Sequence, residues 1–404
     1  MRLHRNLVFA VVDTLDQIFN EGKYADKEIS KTLKKDARWG SRDRGFIAET
    51  TYDIVRWKRL YEEIAEVKAP YSRANLFRLF TVWATLKGIE IPDWKQFEDT
   101  PTRRIKGKFD EFSKIRKLKN SIPDWLDDLG KEELGEKWDA EIEALNQEAP
   151  VILRVNTLKT DKKTLQKRLE RENEISTKFL EDYPDALQLL SRADVFKTDS
   201  FKEGYFEVQD ASSQKVAKAT KVKPGMRAVD TCAGAGGKTL HLAAMMENKG
   251  QIIALDLYAN KLKELKRRAK RAGAHNIETR TIDSTKVIKK LHNNADVVMI
   301  DAPCSGLGVL RRNPDAKWKL QPEFLDEIRK TQQEILQSYS KILKKDGILV
   351  YATCSILPSE NEKQIEKFLA SEHGEGFELQ KEESILVSET GHDGFYLARM
   401  KKTK

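Results

Sequence analysis

After residue 223 the sequence alternates short apolar runs with amphipathic stretches, and this alternation restricts the possible folds more than any other feature of the chain. The apolar runs include RAVDT, QIIALD, ADVVMID and ILVYATCS, and stretches such as KLKELKRRAKRAG separate them. Strands that alternate with helices form parallel sheets with helices on both faces. We therefore expect an α/β fold with a Rossmann-like sheet over residues 223–404.

Two further regions precede this sheet. Stretches such as LVFAVVDTLDQIF and FIAETTYDIVRWKRLYEEIAEV carry apolar residues at helical spacing, which predicts an all-helical domain over residues 1–120. The basic stretch over residues 103–125 is expected to be a linker or an exposed helix before the next unit. Residues 121–222 contain the strand-like runs VILRVNTL and ALQLL and the charged helix KKTLQKRLEREN. This mixture predicts a small α+β subdomain, so we expect three domains over residues 1–120, 121–222 and 223–404.

The charge balance and the cysteines narrow the function. Lysine and arginine number 73 against 64 acids, and the net charge of +9 favours a polyanionic partner such as nucleic acid. No apolar run is long enough to span a membrane and no targeting segment is visible, so we expect a cytoplasmic protein without a membrane partner. Cys232, Cys304 and Cys354 are widely separated and have no histidine at metal-ligand spacing, which predicts neither a disulfide framework nor a metal site.

The glycine-rich stretch DTCAGAGGKT, residues 230–239, joins a predicted strand to a predicted helix. Backbone N–H groups at such a turn can contact a nucleotide-like ligand, but the Walker A and dinucleotide patterns are not matched, which disfavours phosphate. Asp256 ends the next strand, where a carboxylate can bind ribose hydroxyls, and Asp283 follows the third strand, near the adenine. S-adenosylmethionine is the predicted cofactor, and a turn that only packs a helix on a strand is the alternative.

Asp301, Cys304 and Cys354 follow two other strands, at the edge where ligands bind in such sheets. A lone buried cysteine is usually a small apolar core residue, but here two approach one ligand edge. A thiolate that adds to carbon 6 of a pyrimidine creates an enamine, whose carbon 5 can attack a sulfonium methyl group. A carboxyl group at N3 stabilises the developing charge, and a second thiol can assist release. These residues therefore predict methylation of pyrimidine carbon 5.

Five stretches resemble the RNA cytosine-5 methyltransferases: RVNTLK, VQDASSQ, DTCAGAGGKT, DAPCSGLGVLRRNPDAKW and YATCSILPSENE, which lie between residues 154 and 362. The resemblance implies Cys354 as the nucleophile, Cys304 as the residue that aids release and Asp301 as the group on N3. It also implies a cofactor site that combines Asp256, Asp283 and Asp301 with a loop. The loop residues are Cys232, Ala233, Gly234, Ala235, Gly236, Gly237 and Lys238.

The resemblance has one local departure and one implication for the substrate. The family's loop is usually CAAPGGK, whereas this chain has CAGAGGK, so we expect a more flexible loop that still binds the cofactor. The stretch SRDRGFIAETTYDIVRWKRL, residues 41–60, resembles an RNA-binding domain similar to the antitermination factor NusB. In this family such a domain precedes the catalytic part of enzymes that modify small-subunit (16S) rRNA, which is therefore the implied substrate.

The residues after the predicted catalytic loop are basic. Arg311, Arg312 and Lys317 are expected to contact RNA phosphates, and Trp318 either stacks on a base or belongs to the core. Two other functions remain open. A methyltransferase for exocyclic amines would carry an NPPY-like motif where this chain has DAPCSG, and a non-catalytic RNA-binding or ribosome-assembly factor would have lost a cysteine or the cofactor loop.

Overall fold

The structure is a computed structural model that describes residues 2–98 and 101–404. The chain divides into two compact units. We call Met1–Gln147 with Leu310–Gln321 the helical unit, and Glu148–Val309 with Pro322–Lys404 the sheet unit. Over the described residues, no helix is long and apolar enough to cross a membrane, and no group of His, Cys, Asp and Glu side chains could hold a metal ion.

The helical unit is built from amphipathic helices, and those within residues 5–119 share one core through their apolar faces, as their spacing predicts. The predicted helix over residues 46–67 is interrupted at Trp57, which leaves the helical conformation and separates two helices. The helices are α1 (Arg5–Phe19), α2 (Ala25–Thr32), α3 (Ser41–Arg56), α4 (Lys58–Ala65), α5 (Arg73–Leu86), α6 (Thr102–Phe112), α7 (Arg116–Lys119), α8 (Asp124–Leu134) and α9 (Lys137–Leu145).

The helical unit extends past residue 120, where the sequence analysis places a domain boundary. Its last helices are tied to α3 and α4 by arginines, since Arg56 donates to the Asn146 carbonyl at 3.4 Å and Arg59 donates to the Ile122 carbonyl at 2.5 Å. The basic stretch over residues 103–125 is thus part of the helical unit and covers α7 and all of α6 except its first residue.

The sheet unit begins with a four-stranded antiparallel sheet in the order β2-β3-β1-β4. Leucines of the first helix pack against its strands and form a separate small core. The elements are β1 (Ile152–Val155), α10 (Lys162–Asn173), β2 (Thr177–Leu180), β3 (Tyr183–Leu189), α11 (Asp199–Lys202), β4 (Phe206–Val208) and α12 (Ala211–Ala219). This is the expected α+β subdomain, with β2 and β4 as strands that were not predicted from the sequence.

A seven-stranded sheet in the order β10-β11-β9-β8-β5-β6-β7 forms the rest of the sheet unit. Strands β5 to β9 are parallel, and β10 and β11 are antiparallel. The elements are β5 (Arg227–Asp230), α13 (Gly237–Met245), β6 (Gln251–Asp256), α14 (Ala259–Ala272), β7 (Ile277–Thr281), α15 (Thr285–Lys289), β8 (Ala295–Asp301), α16 (Ala316–Lys319, in the helical unit), α17 (Pro322–Tyr339), β9 (Leu343–Thr353), α18 (Glu362–Leu369), β10 (Phe377–Ile385), α19 (Val387–Thr390) and β11 (Phe395–Lys402).

This topology confirms the predicted Rossmann-like sheet. Apolar runs such as QIIALD are buried along almost their whole length because helices cover both faces of a parallel sheet. The strand order reverses between β5 and β8, since β6 and β7 continue on one side and β9 on the other. Ligands of such sheets bind outside the carboxyl ends of the strands at this switch point, which directs attention to the loops after β5 and β8.

Candidate active site

The loop between β5 and α13 contains the predicted cofactor residues 232–238. Gly234 and Gly236 have φ angles of 54° and 90°, a region that favours glycine. A Cβ on Gly236 would lie 2.6 Å from Cγ of Leu265, whereas a Cβ on Gly234 or Gly237 would meet no other described atom within 4 Å. Open space therefore adjoins the loop at the start of α13, where a nucleoside ligand would contact backbone N–H groups.

Two arginines hold the carbonyl groups of this loop. Arg268 of α14 donates to the Ala235 carbonyl at 2.9 Å and forms an ion pair with Glu207 at 2.9 Å. The buried Arg154 of β1 donates to the Gly237 carbonyl, and its burial lowers the pKa of Arg154 to about 10. These contacts hold the loop in place although it lacks the proline that the family usually has.

Asp256 and Asp283 lie where the sequence analysis places them, beyond neighbouring parallel strands. Asp256 ends β6, and its two carboxylate oxygens accept the N–H groups of Gly234 and Tyr258, each at 2.8 Å. Asp283 is exposed two residues after β7 and accepts the Ser284 hydroxyl at 3.1 Å. Asp256 is therefore coupled directly to the glycine loop, whereas Asp283 follows the neighbouring strand β7.

Asp230, the last residue of β5, is a feature that the sequence analysis did not single out. Its side chain is buried, and Thr239 donates to Oδ2 at 2.6 Å while Oδ1 has no hydrogen-bond partner among the described residues. Burial raises the pKa of Asp230 to about 7, and the negative charge of Asp301 adds to this effect. An unused acceptor beside the loop fits a cofactor that carries positive charge, as S-adenosylmethionine does.

The two predicted catalytic cysteines meet at the carboxyl ends of β8 and β9. Asp301 is paired with Ala352 in the register of these parallel strands, so the loops that follow share one edge. The Sγ atoms of Cys304 and Cys354 are 3.4 Å apart, and both thiols are free and half-buried. The contact with Cys354 and then burial raise the pKa of Cys304 well above its usual value, so Cys304 keeps its proton at neutral pH.

Asp301 forms an ion pair with the loop residue Lys238. Lys238 Nζ donates to Asp301 Oδ2 at 2.7 Å, and the lysine side chain is only 13% exposed. Burial alone would lower the pKa of Lys238, but the charge of Asp301 outweighs it and raises the pKa above its usual value. Lys238 also interacts electrostatically with Cys354. Cys354 thus has a cationic neighbour.

A buried carboxylate joins the two cysteine loops. Each cysteine is followed by a serine, and the hydroxyls of Ser305 and Ser355 both donate to Oε1 of Glu360 at 2.5 Å. Glu360 is fully buried. Glu360 was not predicted from the sequence, although the acidic stretch SENE lies in the same segment as the second cysteine.

The expected phosphate contacts of Arg311 and Lys317 need correction. Both residues belong to the part of the helical unit formed by residues 310–321, and they are 6% and 1% exposed. Lys317 donates to Asn146 Oδ1 at 3.0 Å, and its burial lowers the pKa of Lys317 well below the usual value. Trp318 packs on the helical core and donates to the Val55 carbonyl at 2.7 Å, which is the core alternative. Arg312 is half-buried, and its contact with RNA stays a prediction.

Two family models match the chain. The model described as 16S rRNA methyltransferase RsmB/F matches residues 217–401, and one described as a ferredoxin-like domain of RsmF/B-like methyltransferases matches residues 122–196. The first covers the glycine loop and both cysteines. The second begins close to the predicted boundary at residue 121.

Individual relatives agree with these models. A Synechocystis protein named "Probable ribosomal RNA small subunit methyltransferase B" is 35% identical over 70% of this chain and 67% of its own length. Similar relatives align over 65% of their length. The crystal structure of PH0851 superposes with a TM-score of 0.84 at 25% identity and covers 100% of both chains. A methyltransferase homologue from Pyrococcus horikoshii gives a TM-score of 0.63 at 27% identity, over 71% of this chain and 97% of that one.

Proposed function

The chain belongs to the RsmB/F family of 16S rRNA methyltransferases, and from this premise we propose that it methylates carbon 5 of a cytosine in small-subunit rRNA. Family membership confirms the predicted methyltransferase fold and S-adenosylmethionine as the cofactor. The observation that carries the proposal is the pair of thiols 3.4 Å apart beside Asp301 and Lys238. One thiol can attack the ring while the other assists the later release.

The residues around the glycine loop fit the cofactor. Residues 232–238 would hold it through backbone N–H groups, with Asp256 at the ribose and Asp283 near the adenine. The open space beside Gly234 and the free acceptor of Asp230 support this assignment. When bound, the cofactor supplies an electrophilic methyl group on a positively charged sulfur.

The proposed first step is addition of Cys354 to carbon 6 of the cytosine. The new carbon–sulfur bond would shift the electrons of the ring double bond towards carbon 5. Carbon 5 would then bond to the methyl carbon while the bond between that carbon and the sulfonium sulfur breaks, with S-adenosylhomocysteine as the leaving group. Lys238 favours the attacking thiolate through its positive charge, and the Cys304 thiol can donate a hydrogen bond to the Cys354 sulfur. Asp301 keeps one oxygen on Lys238, and its other oxygen would accept a hydrogen bond from N3 once N3 takes up a proton as negative charge builds on the ring.

Release requires removal of the proton on carbon 5. The electrons of that C–H bond re-form the ring double bond, and the bond between carbon 6 and Cys354 breaks. We assign assistance in this step to Cys304, because its thiol can pass its proton to the departing Cys354 sulfur, 3.4 Å away, and the strongly basic thiolate that results can take the proton from carbon 5. A target base in structured RNA must be exposed or flipped out before it can reach Cys354.

The test compares the wild type with the Cys354→Ala and Cys304→Ala variants on unmodified small-subunit rRNA and S-adenosylmethionine. We expect Cys354→Ala to abolish both 5-methylcytosine and the covalent RNA adduct, whereas Cys304→Ala should accumulate the adduct on denaturing gels. Mapping of the methylated base then identifies the target. A wild type that binds RNA but methylates no cytosine would contradict the proposal and favour the RNA-binding or assembly factor.

The RNA partner and the cellular location of the protein are also proposals. The relatives' names refer to small-subunit ribosomal RNA, which supports this RNA as the substrate of the present chain. An RNA-binding role for the NusB-like stretch over residues 41–60 and a cytoplasmic location stay predictions.

A further inference from the structure

Glu360 accepts hydrogen bonds from both loops that carry the cysteines. Its Oε1 accepts the hydroxyls of Ser305 and Ser355, each at 2.5 Å. Its Oε2 accepts the backbone N–H of Ser305 at 2.8 Å and the side-chain amide of Gln332 at 3.1 Å. A single carboxylate therefore takes four hydrogen bonds, three of which come from the two residues that directly follow the cysteines.

The two loops are arranged alike around this carboxylate. The Ser305 hydroxyl oxygen accepts the N–H of Leu307 at 3.4 Å, and the Ser355 hydroxyl oxygen accepts the N–H of Leu357 at 3.2 Å. Each serine thus closes a turn of its own loop with the same hydroxyl that donates to Glu360. Movement of the carboxylate would disturb both turns together.

Gln332 of α17 extends the arrangement to the chain on the other side of Cys304. Its amide donates to Glu360 and also to the Pro303 carbonyl at 3.0 Å. The residues before and after Cys304 are therefore both held, one through Gln332 and the other directly by the carboxylate.

A fully buried carboxylate is costly unless hydrogen bonds compensate it. Bonds to a charged acceptor are roughly twice as strong as neutral ones, so four of them can offset much of the desolvation. Glu360 is fully buried and both of its oxygens already accept two hydrogen bonds, so it has no acceptor left for RNA or the cofactor. The hydrogen bonds of Glu360 therefore suit a residue that holds the two loops and does not itself react.

We propose that Glu360 is a positioning residue that sets the distance between the Cys304 and Cys354 sulfurs. The catalytic consequence rests on the proposed cytosine methylation, but the spatial consequence does not. Replacement of Glu360 by Gln puts an amide NH₂ where one oxygen accepts two hydrogen bonds, so at least two of the four donors lose their acceptor. Both cysteine loops should then loosen at the same time.

The first experiment measures the spacing of the thiols without RNA. Phenylarsine oxide condenses with two neighbouring thiols, forming two As–S bonds and releasing water. The wild type should bind it tightly and Cys304→Ala should not, which identifies the pair. We expect Glu360→Gln to bind it about tenfold more weakly. The matched control is Glu366→Gln, an exposed glutamate on α18, which should bind it like the wild type.

The second experiment measures single-turnover methylation at saturating cofactor. We expect Glu360→Gln to be about 100-fold slower, as for a misplacement of reacting groups by about 1 Å, with unchanged affinity for S-adenosylmethionine. Glu360→Asp, which keeps the charge on a shorter side chain, should be intermediate. Wild-type arsenical affinity and a wild-type rate in Glu360→Gln would overturn the proposal, because a carboxylate that only stabilises the fold would alter neither in folded protein.

A further variant tests the proposal if Glu360→Gln does not fold. If circular dichroism shows that Glu360→Gln is unfolded, the double variant Ser305→Ala/Ser355→Ala decides, because it keeps the carboxylate and removes two donors. Weaker arsenical binding by this variant supports the proposal, and unchanged binding overturns it. If the wild type binds the arsenical but methylates no cytosine, the proposed function fails while the positioning role of Glu360 is still tested.

Discussion

Replacement of the buried Asp230 by Asn should make the protein more stable at neutral pH. The carboxyl group is 1% exposed, and only Oδ2 has a hydrogen-bond partner among the described residues, the Thr239 hydroxyl at 2.6 Å. An Asn side chain keeps an oxygen for Thr239 and has no negative charge to bury. The same change removes the acceptor that we assign to the positively charged cofactor, so cofactor affinity should fall as stability rises.

The size of the gain follows from the pKa. Burial raises the pKa of Asp230 from 3.8 to about 7, so the folded protein keeps a proton that the unfolded chain has already lost between these pH values. Stability therefore falls as the pH rises from about 4 to 7 and is level above that. At about 1.4 kcal/mol for each pKa unit, the wild type loses about 4 kcal/mol over this range, of which about 3 kcal/mol lies above pH 5.

Urea unfolding at pH 5 and at pH 8 provides the assay. The stability of Asp230→Asn relative to the wild type should increase by about 3 kcal/mol from the lower to the higher pH, whatever constant cost the new NH₂ group adds. The exposed Asp346, which pairs with Lys401 at 2.8 Å, serves as the control, and Asp346→Asn should show no such increase. If the stabilities of the wild type and of Asp230→Asn change by the same amount between pH 5 and pH 8, the reasoning is refuted.

Three further predictions concern the loop and the helix that follows it. Gly236→Ala should destabilise the protein by about 1–3 kcal/mol in thermal or urea unfolding and weaken cofactor binding, because its φ is 90° and the new Cβ would lie 2.6 Å from Leu265. Arg268→Met should weaken S-adenosylmethionine binding in calorimetry by about tenfold, because the Ala235 carbonyl loses its donor; unchanged affinity would show that the loop holds itself. Burial lowers the pKa of His241 from 6.5 to about 4, so stability is lost as the pH falls through this range, and His241→Gln should remove about 3 kcal/mol of that loss in urea unfolding.

The sequence predicted the large sheet well because its central strands are apolar throughout and are separated by clear helices. It failed where burial depends on distant partners. Arg311 and Lys317 follow a catalytic loop and carry charge, which favours exposure, yet Lys317 is buried against Asn146, 171 residues away along the chain. No local pattern in residues 310–321 indicates that this segment packs with the helical unit while its chain neighbours belong to the sheet unit.

The two cysteines show which part of the site the sequence predicts and which part it does not. Because β8 and β9 are parallel neighbours, strand ends alone predict that Cys304 and Cys354 share one edge. Their separation of 3.4 Å depends on a third residue, Glu360. The available signal was two Cys-Ser pairs, of which the second is followed by SENE. That signal does not distinguish Glu360 from Glu362, since both are acids in the same short stretch. Only the turn after β9 decides, because it buries Glu360 between the serines and leaves Glu362 to accept the Ser384 hydroxyl instead.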